Sequence, residues 1–297
     1  MCLFLIKYEY NVLGEKMKRF FQGIGITTLL FGSFMFTGRV AMTSKQTDAL
    51  FNEILKKKDG YKENAIEPFI RDKKIVPGIN GREVDVNKSY KEMSKIGYFD
   101  DKLLIYKTLF VDNTLDKNKD KYIISLNNSR MDISIIFKVG SNDDITNIIR
   151  VLDDNKIKGT FFITSSYLEK HHNQIIKLVQ NGYTIGNLSK NEDYEDSDFV
   201  WMKTIITNIG NQKYNYCLTK EENVRLIKIC SIQDSFTVLY SNEIKSSPFI
   251  NIKKALKPGA IIVIDVTKEV NSQIEAIINY VYSKGYNVKS LEEGLKE

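Results

Sequence analysis

KGTFFITSSYLEKHHNQIIKLVQNGYTIGNLS, Lys158–Ser189, holds three elements in one run. Thr160–Thr164 is a short β-rich stretch, Tyr167–Asn181 follows a helical pattern, and Tyr183–Gly186 reads as a second strand. Strand, helix and strand in succession form the unit from which helix-covered parallel sheets are built.

The same rhythm extends outward from this run, beginning at Tyr122. Further strands are expected at Ile133–Phe137, Tyr214–Leu218, Phe236–Tyr240, Ala260–Asp265 and Tyr286–Lys289. Helices are expected at Asp143–Asp154, Asp196–Ile209, Glu221–Ile229, Ile250–Leu256, Val270–Lys284 and Leu291–Lys296. In Val270–Lys284, Ile274, Ile277, Ile278 and Val281 share one face, and Lys284-Gly285 is a stop signal. Seven strand–helix alternations suit a barrel-like α/β fold with its site at the C-terminal strand ends.

The region before Tyr122 is different. TDALFNEILKKK, Thr47–Lys58, has apolar residues at Leu50, Phe51, Ile54 and Leu55 and predicts a helix with a lysine-rich end. VPGINGREVDV, Val76–Val86, carries two turn signals, and NKSYKEMSKIG, Asn87–Gly97, predicts a short helix closed by glycine. DNTLDKNKDK, Asp112–Lys121, reads as a linker. Residues 45–121 are therefore expected to form a small pre-domain with its linker, and 122–297 the α/β domain.

Phe20–Gly38 carries no charge and follows Lys16, Lys18 and Arg19. A run of about 20 apolar residues can span a bilayer, and the basic flank favours a cytoplasmic N-terminus. An uncleaved signal anchor is favoured over a cleaved signal peptide, because Arg39 sits badly for cleavage. Either way the remainder is expected outside the cytoplasm. Residues 1–19 read as a cytoplasmic or over-extended N-terminus, with Met17 as the natural start.

Composition narrows the classes. The 297 residues carry a net charge of +6, with Lys and Arg interspersed among Asp and Glu, which reads as a solvated surface. There is no nucleic-acid motif and no zinc-type spacing. The cysteines, Cys2, Cys217 and Cys230, are odd in number and form no disulfide framework; Cys230 ends the apolar run VRLIKIC and reads as a core residue, with a Cys217–Cys230 bridge as the alternative.

Four segments, in order, resemble the polysaccharide deacetylase family, also called the NodB-homology or carbohydrate esterase family 4 domain. IIFKVG, Ile135–Gly140, stands where that family has T-F-D-D-G. Lys158–Ser189 is similar to its A-T-F-F strand, helix and G-H-E-I-G-N-H-S turn. LKPGAIIVIDV, Leu256–Val266, resembles its P-G-x-I-x-L-x-H segment, and SKGYNVKSLEEGL, Ser283–Leu295, its closing G-Y-x-x-x-x-L. The resemblance implies a distorted (β/α)7 barrel that removes acetyl groups from N-acetylated sugars in peptidoglycan or chitin. It implies a divalent metal such as zinc held by one Asp and two His, a second Asp as base and a late His as acid. Such a metal acidifies its bound water and polarises the acetyl carbonyl.

At every one of those positions this chain differs. Lys138 replaces the base and Val139 the metal-binding Asp; Leu188 and Glu192 replace the two metal His; Asp265 replaces the late His. The family's R-P-P segment falls near YCLTK, Tyr216–Lys220, which has neither residue. One carboxylate, Glu192, is left as a donor beside a lysine that repels cations. Asp143 and Asp144 read as turn and helix caps. His171 and His172 point about 100° apart on a helix and cannot share one ion. The acidic loop Asn191–Asp196 reads as solvated. Trp201, spaced with Phe199, Met202 and Ile205, reads as core before sugar platform. The expectation is a membrane-anchored, deacetylase-like protein without a metal site or catalysis, whose partner is a cell-wall glycan or an envelope protein. The rivals are a hydrolase rewired through Glu192, Asp143 and Asp265, and an unrelated structural envelope protein.

Overall fold

A computed structural model describes residues 48–190, 192–195 and 197–297. The membrane-helix expectation at 20–38, the N-terminal stretch 1–19 and Met17 lie outside the described residues. No described helix is long and apolar enough to cross a membrane.

In chain order the elements begin with α1 (Ala49–Lys57), β1 (Phe69–Arg71), β2 (Lys74–Val76), β3 (Gly81–Val84), α2 (Val86–Met93), β4 (Tyr106–Leu109) and β5 (Tyr122–Ile123). The α/β rhythm follows as β6 (Asp132–Val139), α3 (Thr146–Asp154), β7 (Thr160–Ile163), α4 (Ser165–Gln180), β8 (Thr184–Asn187) and α5 (Ser197–Thr204), which ends in a π-turn over Ile205–Ile209. The chain continues as β9 (Asn215–Thr219), α6 (Val224–Ile232), β10 (Ser235–Leu239), β11 (Asn242–Ile244), α7 (Pro248–Ala255), β12 (Ile261–Asp265), α8 (Lys268–Ser283), β13 (Asn287–Val288) and α9 (Leu291–Gly294).

The chain divides into two compact units, one ending at Glu63 and resuming over Arg82–Lys107, the other comprising Asn64–Gly81 and Thr108–Glu297. The first unit is held by a small core of Ile54, Val84, Met93 and Leu104. Its helices start on side-chain caps: Asp48 accepts from the amides of Leu50 and Phe51, and Asp85 from that of Lys88. Residues 64–81 and 108–121, read from sequence as part of the pre-domain, belong to the second unit. The reason is visible in the sheet, where β2 pairs in parallel with β5, and in Asn127, whose side-chain amide donates to Pro77 O.

The second unit carries two sheets. In one, β11, β12, β6, β7 and β8 run parallel, with β13 joining the start of β6. In the other the order is β1-β2-β5-β10-β9, parallel except for the β1–β2 hairpin. Alternation along each strand sorts side chains between two cores. Ile133, Ile135, Phe137 and Val139 of β6 meet helices α3, α4 and α8 on one side. Ile136, Phe162, Tyr216, Leu218, Phe236 and Val263 fill the space enclosed by the strands.

The expected closed barrel is not formed: among the described residues the two sheets do not join into one ring of paired strands. At the β8–β9 boundary a side chain replaces the missing ladder. Gln212 accepts from Ile185 N at 2.7 Å, and its amide donates to Ile185 O at 2.9 Å and Tyr214 O at 2.6 Å. Close packing nearby requires glycine, since a Cβ on Gly186 would lie 2.4 Å from the Phe162 ring.

Two expectations about single residues are corrected. Cys217 and Cys230 form a disulfide, because the outward face of β9 lies under the last turn of α6 with the two Cα atoms 6.5 Å apart. Trp201 is 37% exposed rather than core, because Phe199, Met202 and Ile206 take the inward stripe of the α5 segment.

Candidate functional site

Parallel strands end on a common rim, and the period of two decides what each sends there. On β6, Ile136 and Lys138 share the enclosed face. Val139 points the other way and is fully buried with Phe137 and Ile163 in the helix-side core. Register places Asp265, the last residue of β12, directly across from Lys138. Glu192 arrives from the turn after β8 and forms an ion pair with Lys138. That turn holds Glu192 at φ 67°, in the left-handed region, with its amide donating to Leu188 O at 2.7 Å. Leu188 itself is buried with the apolar side chains of the enclosed core. Three of the five anticipated positions therefore meet, Lys138, Glu192 and Asp265, while Val139 and Leu188 serve packing.

A second part of the rim had no sequence signal of its own. Glu243 lies on β11, a three-residue strand too short to show a pattern, with its side chain only 7% exposed. Lys220 Nζ lies 3.1 Å and Lys245 Nζ 3.5 Å from Glu243 Oε2, and the Tyr240 hydroxyl donates to Oε1 at 3.3 Å. The usable clue was position: Lys220 and Tyr240 each follow the last residue of a strand, β9 and β10.

Electrostatics separate the two inner acids. Burial pushes the Glu243 carboxyl up, but the Lys220 hydrogen bond and the fields of Lys245, Lys220 and Lys138 outweigh it and hold it below the ordinary range. Burial raises Asp265, Glu243 adds to that, and Lys138 and Lys245 only partly oppose it. Asp265 Oδ1 is buried and has no hydrogen-bond partner. The rim is thus a set of three acids in which Lys138 pairs with Glu192, and Lys220 and Lys245 both pair with Glu243, leaving Asp265 without an ion-pair partner of its own among the described residues.

The other candidates are occupied locally. Asp143 Oδ2 accepts from Gly140 N at 2.6 Å, and Asp144 Oδ1 from Thr146 N at 2.9 Å, so both acids act as caps. His171 stacks on Tyr167 with centroids 4.5 Å apart, and His172 is exposed. In the acidic loop Asp193 accepts from Glu195 N, and Glu195 pairs with Arg225; Asn191 and Asp196 lie outside the described residues.

A divalent ion of the family's kind needs an oxygen ligand and two imidazoles with open positions. Here an ammonium already holds Glu192, and among the described residues no group of three or more His, Cys, Asp or Glu converges on one point. The donors present do not fit that metal.

Residues 126–220 match the model of the polysaccharide deacetylase family. Over this stretch the chain is similar to that family. The match spans β6 to β9, the segment that carries Lys138, Val139, Leu188 and Glu192. Over 274 residues the chain is 23% identical to the uncharacterized protein YlxY of Bacillus subtilis (strain 168), covering 84% of each chain. Its fold is shared by BA3943 of Bacillus anthracis, a carbohydrate esterase family 4 pseudoenzyme, at 22% identity and a TM-score of 0.64, over 84% of this chain and 96% of that one. A BA3943 mutant described as having restored enzymatic activity aligns with the same TM-score of 0.64 at 21% identity, over 84% of this chain and 98% of that one. The chain therefore shares its polysaccharide-deacetylase-like fold with a protein described as a pseudoenzyme of that family.

Proposed function

We propose that this deacetylase-like domain binds cell-envelope glycan, peptidoglycan above all, without deacetylating it, and that it works outside the cytoplasm on an anchor formed by residues 20–38. One observation carries the catalytic half. Where the family resemblance places a base and three metal ligands, the chain has a lysine ion-paired to Glu192 and two buried aliphatic side chains, Val139 and Leu188. An ammonium has no lone pair with which to bind a metal or accept a proton from water. The extracytoplasmic half is supported by the uncharged run Phe20–Gly38 with its basic flank and by the Cys217–Cys230 disulfide, a bond that persists in oxidising compartments.

The test uses the full chain. Metal content is measured alongside acetate release from peptidoglycan and chitin fragments, and retention on sedimented peptidoglycan is scored separately. The expected result is retention with neither bound metal nor acetate release. Acetate release by protein holding a stoichiometric metal overturns the inactive assignment, and loss of all protein to the supernatant overturns glycan binding. The BA3943 mutant with restored activity motivates a converse experiment. Combining Lys138→Asp, Val139→Asp, Leu188→His and Glu192→His rebuilds the family's donor types and is expected to confer zinc binding that the parent chain lacks.

A further inference from the structure

Two residues beyond Glu192 in the same turn, Tyr194 is 4% exposed and packs with Phe199 against Cys217 and Cys230. We propose that the Cys217–Cys230 bridge is a redox-sensitive latch on the rim: its reduction by a dithiol frees the turn Glu192–Glu195 and, with it, the Lys138 ammonium. The latch is a property of the rim itself and does not depend on glycan binding.

The turn is held on both sides of Glu192. Before it, Leu188 O accepts from Glu192 N at 2.7 Å. After it, the Tyr194 hydroxyl accepts from Leu218 N at 3.1 Å and donates to Leu218 O at 3.3 Å, and Glu195 pairs with Arg225. Leu218 follows Cys217 on β9, and Arg225 stands on α6, the helix that carries Cys230. The contacts after Glu192 therefore run to the two elements that the bridge joins.

Apart from the bridge, α6 is weakly seated. It packs on β10 with Ile227 and Cys230 as its buried residues, while Val224 is 61% and Ile232 70% exposed. The sheet face that carries Cys217 also carries Asn215 of β9 and Thr237, the register partner of Cys217 on β10. Asn215 Oδ1 and the Thr237 hydroxyl are buried without a hydrogen-bond partner among the described residues. Unmet polar oxygens in such a layer weaken it, and local opening of a weakly held element admits a reductant to buried sulfurs. Two electrons and two protons from the dithiol then convert the bridge into two thiols, while the dithiol closes into its own disulfide.

Once α6 is released, Glu195 loses Arg225 and Tyr194 loses the sulfurs it packs on. Glu192 stands at φ 67°, a left-handed conformation that persists only while its surroundings enforce it. With one of its two anchors gone the turn relaxes, and Lys138 loses the carboxylate that favours its charged form.

Lysine acylation of the full chain by acetic anhydride, mapped by mass spectrometry with and without dithiothreitol, tests the latch; thiol titration verifies reduction. Labelling of Lys138 is expected to rise about threefold on reduction, the scale of a partly exposed ion pair. Lys158 and Lys289, paired with Asp153 and Glu293, should keep their rates. The Cys217→Ser, Cys230→Ser double variant should label like the reduced protein. Glu192→Gln should raise Lys138 labelling in the oxidised protein and leave reduction nothing to add. An unchanged Lys138 rate in fully reduced protein, or an equal rise on reducing the Glu192→Gln variant, overturns the proposal. A rise shared by all three lysines overturns it too, because reduction would then loosen the domain as a whole.

Discussion

At the scale of single residues, the rim behaves as a fixed set of charges with one member out of balance. Asp265 has its carboxyl raised by burial, so the folded protein retains its proton where the unfolded chain has lost it. The resulting penalty is absent below the ordinary value of 3.8 and grows as pH rises from there through the folded-state pKa. Asp265→Asn is therefore expected to raise the melting temperature at pH 7 by a few degrees, roughly 1 kcal/mol, and to leave it unchanged near pH 3. An equal shift at both pH values would assign the gain to packing instead. Glu243 has the opposite sign. Its carboxyl is held below its ordinary 4.5, so its contribution is present above that value and lost as pH falls through the lower folded-state pKa. Glu243→Gln should accordingly weaken the protein at neutral pH and lessen the further loss on acidification, as read from urea midpoints at a series of pH values.

At the scale of elements, Gly186 and the disulfide make the clearest cases. Gly186→Ala would place a methyl 2.4 Å from the Phe162 ring inside the enclosed core. Overpacking of this kind costs about 1–3 kcal/mol. Phe162→Leu in the same chain is expected to return part of that loss in a denaturant titration. The Cys217–Cys230 bridge closes a loop with a sequence separation of 13, for which the chain-entropy model gives about 3 kcal/mol. Melting under reducing conditions should therefore fall well below melting under oxidising ones, and a Cys217→Ser, Cys230→Ser double variant should show no such difference. Legibility at this scale followed pattern length. The strands around Phe161, Ile185, Leu218 and Ile262 and the helices between them were visible because each has a run of several apolar residues at one period. β5 and β11, of two and three residues, are held by neighbours rather than by their own pattern. Glu243 was missed along with β11. The bridge was undervalued because cysteine count says nothing about which strand face lies beneath which helix turn. At the rim, the replaced positions could be read one by one, but the pairing of Lys138 with Glu192 and the inward turn of Lys138 against Val139 required the register.

At the scale of the molecule, the second unit is built from separated stretches of chain, Asn64–Gly81 and Thr108–Glu297. A fragment limited to 122–297 would lack β2, leaving β5 without that neighbour and removing Ile75 from the enclosed core. Such a fragment is expected to melt lower than the full chain or to aggregate; an unchanged melting curve would show that β1 and β2 are dispensable. The central strand carries the same theme further. Ile136 of β6 pairs with Thr160, Ser134 with Ile261, and Asp132 with Asn287. During synthesis, β6 leaves the ribosome with β7 soon available on one side, while its other edge waits until the chain has been made past Ile261. Until then the apolar stretch Ile133–Phe137 stands as an open edge, the kind of surface on which nascent chains associate wrongly. Maturation of this protein is thus timed by its last strands, and its dependence on chaperones should be greatest late in elongation.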